Sequence, residues 1–158
     1  MRGSSIIEFA LVAPVFFLLL CGVIDFSRLF FVRMTVQDAL RQAARSASTG
    51  WHQSGNDPGT GQPYTREASI QQIIQSEAAA AGMPASKVVV SVSSIQGGSN
   101  NAGNPLDTVT VSVTVTMKLL TGYIARSFTG GQYLYTLRIV FKNEAFSPRC
   151  TTQPYTGC

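Results

Sequence analysis

Residues 9–24 read FALVAPVFFLLLCGVI without a charge, between Ile6-Ile7 on one side and Phe26, Leu29, Phe30, Phe31 and Val32 on the other. Sixteen helical residues rise about 24 Å, short of a hydrocarbon core of about 30 Å, so a span must include Ile6 and Ile7 and tolerate Glu8 beside them. From Asp25 to Ser48 there is neither Gly nor Pro. There Leu29, Val32, Val36, Ala39, Leu40, Ala43, Ala44 and Ala47 recur at three- and four-residue steps among Arg28, Arg33, Gln37, Asp38, Arg41, Gln42 and Arg45. This pattern predicts one helix over residues 4–49, membrane-grade first and amphipathic afterwards, with Thr49-Gly50 as its stop. Pro14 lacks an N–H and crowds the carbonyl four residues earlier, so a kink or local melting is expected there.

The remaining chain, residues 50–158, reads as a separate head. A Gly/Asn/Asp/Pro loop, 51–64, leads to Thr65, which can cap a helix of about residues 66–81 with Ala68, Ile70, Ile73, Ile74 and Ala78 on one side and Gly82-Met83-Pro84 as terminator. From Lys87 the period becomes two: Val88, Val90 and Val92, then Val109, Val111, Val113, Val115 and Met117, then Tyr133, Tyr135, Leu137, Ile139 and Phe141. Residues 97–105, GGSNNAGNP, have the composition of a long, mobile hairpin connection, and 119–128 fit a short helix or a crossover loop equally well. The order helix, helix, strand, strand, strand is α+β, with a small three-stranded antiparallel sheet.

Composition narrows the setting. Charged residues are 13% of the 158, about half the usual ~25% of soluble domains. The net charge of +4 divides evenly between residues 1–49 and the rest without a basic cluster, which leaves nucleic-acid binding without support. A secretory signal peptide would have a shorter apolar region and a small-residue cleavage site; residues 25–33, DFSRLFFVR, continue as helix, so the segment is read as retained. Cys21 reads as a small buried hydrophobe. Cys150 and Cys158 bracket a Pro/Thr/Gly tail, and a disulfide between them in an oxidising compartment is preferred over two free thiols. That puts the head outside the cytoplasm. The positive-inside rule points the other way, since Arg2 stands before the span and Arg28, Arg33, Arg41 and Arg45 after it; a start codon farther upstream, with a basic leader, removes the conflict.

Glu8 is the position that demands chemistry. A carboxylate beside a hydrocarbon run costs ~2.5–3.5 kcal/mol near a bilayer centre and less near an interface. If the chain is cut after Gly3, the new ammonium of Ser4 lies one helical turn before Glu8 and can neutralise it, within one chain or between neighbours. Otherwise Glu8 sits at headgroup level in an uncleaved anchor. Asp25 and Arg28, three residues apart, can pair within the helix. One histidine, His52, gives no metal set or relay, and the carboxylates Asp57, Glu67, Glu77 and Asp107 show no metal-ligand spacing. No catalytic group stands out, so neither an enzyme nor a cofactor is expected.

The stretch RGSSIIEFALVAPVFFLLLCGVIDFSRLFF resembles the N-terminus of TadE-like proteins, minor pilins or pseudopilins of the tight-adherence (Tad, Flp) pilus in the type IV pilus superfamily. Gly3, Glu8, Phe9, Pro14 and Gly22-Val-Ile-Asp25-Phe carry the likeness, residues 39–45 are similar to the alanine-rich continuation, and 137–144 resemble the final strand. The resemblance implies a leader, residues 1–3 or longer, removed between Gly3 and Ser4 by a prepilin peptidase, then passage from the inner membrane and its lipid, through an assembly platform, into an extracellular fibre of pilin subunits. It further implies that Glu8, with Phe9 and Pro14 in the packing helix, registers an incoming subunit against a neighbour's N-terminus. The size of the head favours a minor or tip subunit over the main one. From a different class, the alternative is a single-span envelope protein whose head binds a ligand through its Gly/Asn loops without polymerising.

Overall fold

The computed structural model describes residues 3–119, 121 and 132–145. Helix α1 runs Gly3–Ser48 and helix α2 Arg66–Ala80; a 3-10 turn, Ala85–Lys87, leads into strands β1 (Val88–Ser94), β2 (Gly98–Ser99), β3 (Thr108–Lys118) and β4 (Gln132–Lys142). The architecture is α+β, as the order of periodicities predicted. Its sheet has four antiparallel strands in the order β2-β1-β3-β4 rather than three. The added strand pairs over only Ser93 with Ser99 and Ser94 with Gly98, too short a ladder to leave an alternating pattern in a Gly/Asn segment.

The chain forms two compact units, one of Met1–Phe31 with Thr116–Leu134, the other of Val32–Val115 with Tyr135–Cys158. In the second, α1 buries Val32, Val36, Ala39, Leu40, Ala43, Ala44 and Ala47, the stripe set by three- and four-residue spacing. Helix α2 packs on β1 and buries Ile70, Ile74 and Ala78, while Val88 and Val92 of β1 and Val109, Val111, Val113 and Val115 of β3 complete the core. β1 and β3 pair from Val88 with Val115 to Ser94 with Val109, so both valine faces fall on the same side. The alanines of α1 and the β-branched valines of β1 and β3 are alike buried, the valines suited to a pleated surface.

Both helices end on glycine. Gly50, at φ 80°, donates to the Ala47 carbonyl at 3.1 Å and Trp51 to that of Ser46 at 3.3 Å. Gly82, at φ 78°, donates to Ala79 at 2.9 Å and Met83 to Ala78 at 2.9 Å. In each case the left-handed residue turns the chain so that two orphan carbonyls are satisfied, the Schellman arrangement. At its other end α2 is capped by Thr65, whose side chain accepts from the Ala68 N–H at 3.2 Å.

The connection 95–107 departs from its sequence reading, because buried polar groups hold it. Arg66, 2% exposed, donates to the carbonyls of Gly103 (2.9 Å), Ala102 (3.0 Å) and Ala47 (3.0 Å) and to Asn143 Oδ1 (3.1 Å). Asn143 Nδ2 donates to Ala102 O and Asn104 O, and Glu67 Oε1 accepts the Ala102 N–H at 2.6 Å. Asp107, also buried, accepts from the backbone N–H groups of Gln96 and Thr108. Burial lowers the Arg66 pKa, the neighbouring Glu67 charge opposing the shift. A segment rich in Gly and Asn is thereby fixed to α1, α2 and the end of β4.

Candidate assembly interface

The first half of α1 presents the chemistry that remains to be explained. Between Ile6 and Phe31, sixteen large apolar side chains are exposed, among them Phe9 at 73%, Leu11 at 73% and Phe26 at 70%. Burying each stabilises by ~1.5–3 kcal/mol, so leaving all sixteen in water forfeits on the order of 20–50 kcal/mol, more than the 5–15 kcal/mol that holds an ordinary domain folded. Lipid or other helices must cover them. Helix α1 is long and apolar enough to cross a membrane. It runs without interruption through Pro14, so the local melting expected there does not occur.

Two carboxylates bracket the uncharged run, Glu8 below and Asp25 above, seventeen residues or about 26 Å apart along the axis. Glu8 and Phe9 are exposed, and Pro14 with them. Asp25 is 6% exposed, and its Oδ2 accepts both the backbone N–H and the hydroxyl of Thr121, each at 2.7 Å. This role of Thr121 was missed in the sequence, where 119–128 had no assigned element. The signal was an acid on an apolar helix with a hydroxyl-bearing turn downstream, too common a pair to single out. Elsewhere on this half of α1 Phe26 and Phe30 stack at 6.3 Å, Phe16 and Phe17 meet edge to face at 5.9 Å, and Ser27 returns its hydroxyl to the Val23 carbonyl at 2.8 Å.

The backbone of Gly3 and Ser4 begins α1, in the first turn, whose N–H groups have no intrahelical acceptor and which frays most readily. Cys21 is half-buried and free. Cys150 and Cys158 lie outside the described residues. Farther along α1, Asp38 and Arg41 pair at 3.2 Å with side chains 69–70% exposed, a contact of little energetic weight. Among the described residues no three of the His, Cys, Asp and Glu side chains gather as metal ligands.

The chain thus combines a first helix long and apolar enough to cross a bilayer, an acid near the start of that helix and an α+β fold. Residues 3–45 match the family model described as TadE-like protein, the same residues that carry the resemblance noted in the sequence. The match covers α1 nearly to its end and does not extend to the head. No curated protein and no solved structure matches the chain.

Proposed function

We propose that this chain is a pilin-like structural subunit of a Tad/Flp-type pilus, cut between Gly3 and Ser4 and assembled through the first half of α1. The observation that carries the reading is the sixteen-residue apolar surface between Ile6 and Phe31, with Glu8 at its start and a folded head at the other end of the same helix. The TadE-like match over residues 3–45 supports it. In the membrane, lipid covers that surface; in a fibre, helices of neighbouring subunits do. Because lipid gives helices no hydrophobic drive toward one another, close packing and the Glu8 carboxylate against a neighbour's Ser4 ammonium supply the preference for the assembled state. A head of some hundred residues suits a minor or tip subunit, displayed on the outside, with Cys150 and Cys158 joined there.

The test is the intact mass and N-terminal sequence of the full protein recovered from sheared surface fibres, for the wild type and for Glu8→Ala. The reading expects a chain beginning at Ser4 with the cysteine pair oxidised, and Glu8→Ala that is inserted and cut but missing from the fibres. Wild-type protein retained in the membrane with residues 1–3 attached, or Glu8→Ala present in fibres at the wild-type level, overturns it in favour of an anchored, unpolymerised head.

A further inference from the structure

A bilayer has polar layers outside its hydrocarbon core, and the far end of the apolar run on α1 meets one of them. With the core beginning at Ile6, as the length of the run requires, its ~30 Å takes up about twenty helical residues and ends near Phe26. Arg28 then stands about 3 Å beyond the boundary, inside a headgroup layer of about 5–7 Å, whereas Arg41 stands about 22 Å beyond it, in water. Phe26, Phe30 and Phe31 are exposed around this level, and Phe31, three residues after Arg28, is its neighbour on the helix surface.

The spacing of Asp25 and Arg28 allows an ion pair, which does not form. Asp25 is buried and its Oδ2 is taken by Thr121, while Arg28 is exposed and pairs with no acid among the described residues. The same tether brings a second cation near. Lys118 comes three residues before Thr121, at most about 11 Å away along the chain, and both belong with Met1–Phe31 to one compact unit. It too is exposed and pairs with no acid among the described residues. We propose that Arg28 and Lys118 bind the phosphate of an anionic phospholipid in the leaflet on the side of the head. The planar guanidinium takes two phosphate oxygens at once, the ammonium adds a point charge, and the exposed phenylalanines lie against the upper acyl chains. A zwitterionic headgroup carries its own ammonium beside the phosphate and gains less from the two cations. The inference rests on α1 crossing a bilayer and is independent of cleavage or polymerisation.

The test uses the full chain in phosphatidylcholine nanodiscs, with Phe30→Trp and Trp51→Phe placing a single tryptophan at this level. Its emission is quenched by dibrominated phosphatidylglycerol or dibrominated phosphatidylcholine mixed into the disc. Each basic residue at a charged membrane surface favours binding about fivefold, so both lipids should quench and phosphatidylglycerol should be preferred about five- to tenfold at about 0.1 M salt. Arg28→Gln combined with Lys118→Gln should bring that ratio to about 1, and Arg41→Gln should leave it unchanged. Equal quenching by the two lipids with Arg28 and Lys118 in place, or a preference that survives their joint substitution, overturns the assignment. Quenching by neither lipid overturns it as well, by removing the span, whereas a chain left uncut or missing from fibres defeats only the pilin reading.

Discussion

Replacing Arg66 by Met keeps most of the buried stem and removes the guanidinium. Its partners show what is lost: Ala47 O, Gly103 O and Asn143 Oδ1 lose a charged donor, while Ala102 O keeps the Asn143 Nδ2 bond at 2.9 Å. Each such bond contributes ~1.5–3 kcal/mol, but the change also relieves the cost of keeping a cation out of water, which the lowered pKa of Arg66 records. The difference is a loss of about 2–4 kcal/mol, or roughly 10–20 °C in the melting of the head. Trp51, the one tryptophan of the chain, follows the last turn of α1 and reports the transition by its emission in the full protein. Arg41→Met, which removes only the exposed pair with Asp38, is the control and should melt with the wild type. If Arg66→Met melts within about 1 °C of the wild type, the 102–104 segment is held by something other than these bonds and the magnitude reasoning fails.

Gly82→Ala should cost ~1–2 kcal/mol in thermal melts, since a Cβ there meets open space and only the left-handed backbone, φ 78°, resists it. Gly103→Ala should cost visibly more, because beside φ 75° its Cβ would fall 2.7 Å from Asp107 Oδ2; equal losses at the two sites would refute the packing argument. Asp25→Ala should speed hydrogen exchange at the Thr121 amide by about tenfold or more, with the wild-type rate as the contrary result. As for pH, Arg66 holds its proton less firmly folded than unfolded, so the unfolded chain binds more protons in the alkaline range. Its contribution to stability therefore rises there and is flat from about pH 5 to 9; a slope in that lower window that disappears in Arg66→Met would contradict this.

Local patterns with a single cause were legible in the sequence. The apolar steps of α1 from Val32 to Ala47, the Thr65 cap, the glycine stops at Gly50 and Gly82 and the valine alternation of β1 and β3 each follow from periodicity or backbone freedom within a few residues. Arg66 was not legible, since an arginine just after a capping threonine reads as a solvated first-turn residue. Its burial is decided by carbonyls and an amide 19 to 77 residues away. The same distance hid the order of residues 95–107, whose Gly/Asn content signals a loop but is silent about the partners that Asp107 and Asn143 bring to it. Of the proposed assembly residues, Glu8 was conspicuous because charge is rare beside such a run, whereas the partner of Asp25 depended on a turn that follows a strand 96 residues later.

The last carbonyls of α1 are not left to water. Ala47 O receives Arg66 as well as Gly50, and Ser48 O receives the Glu144 N–H at 2.8 Å from the segment after β4. A helix ended in this way is coupled to its head through backbone groups at the terminus and through the alanine stripe along its side. Tension along the α1 axis would reach α2 and the end of β4 through hydrogen bonds pulled together rather than broken one after another. The end of α1, the start of α2 and the segment after β4 then yield together, and the force needed to free the helix end is set by all of these bonds rather than by the weakest of them.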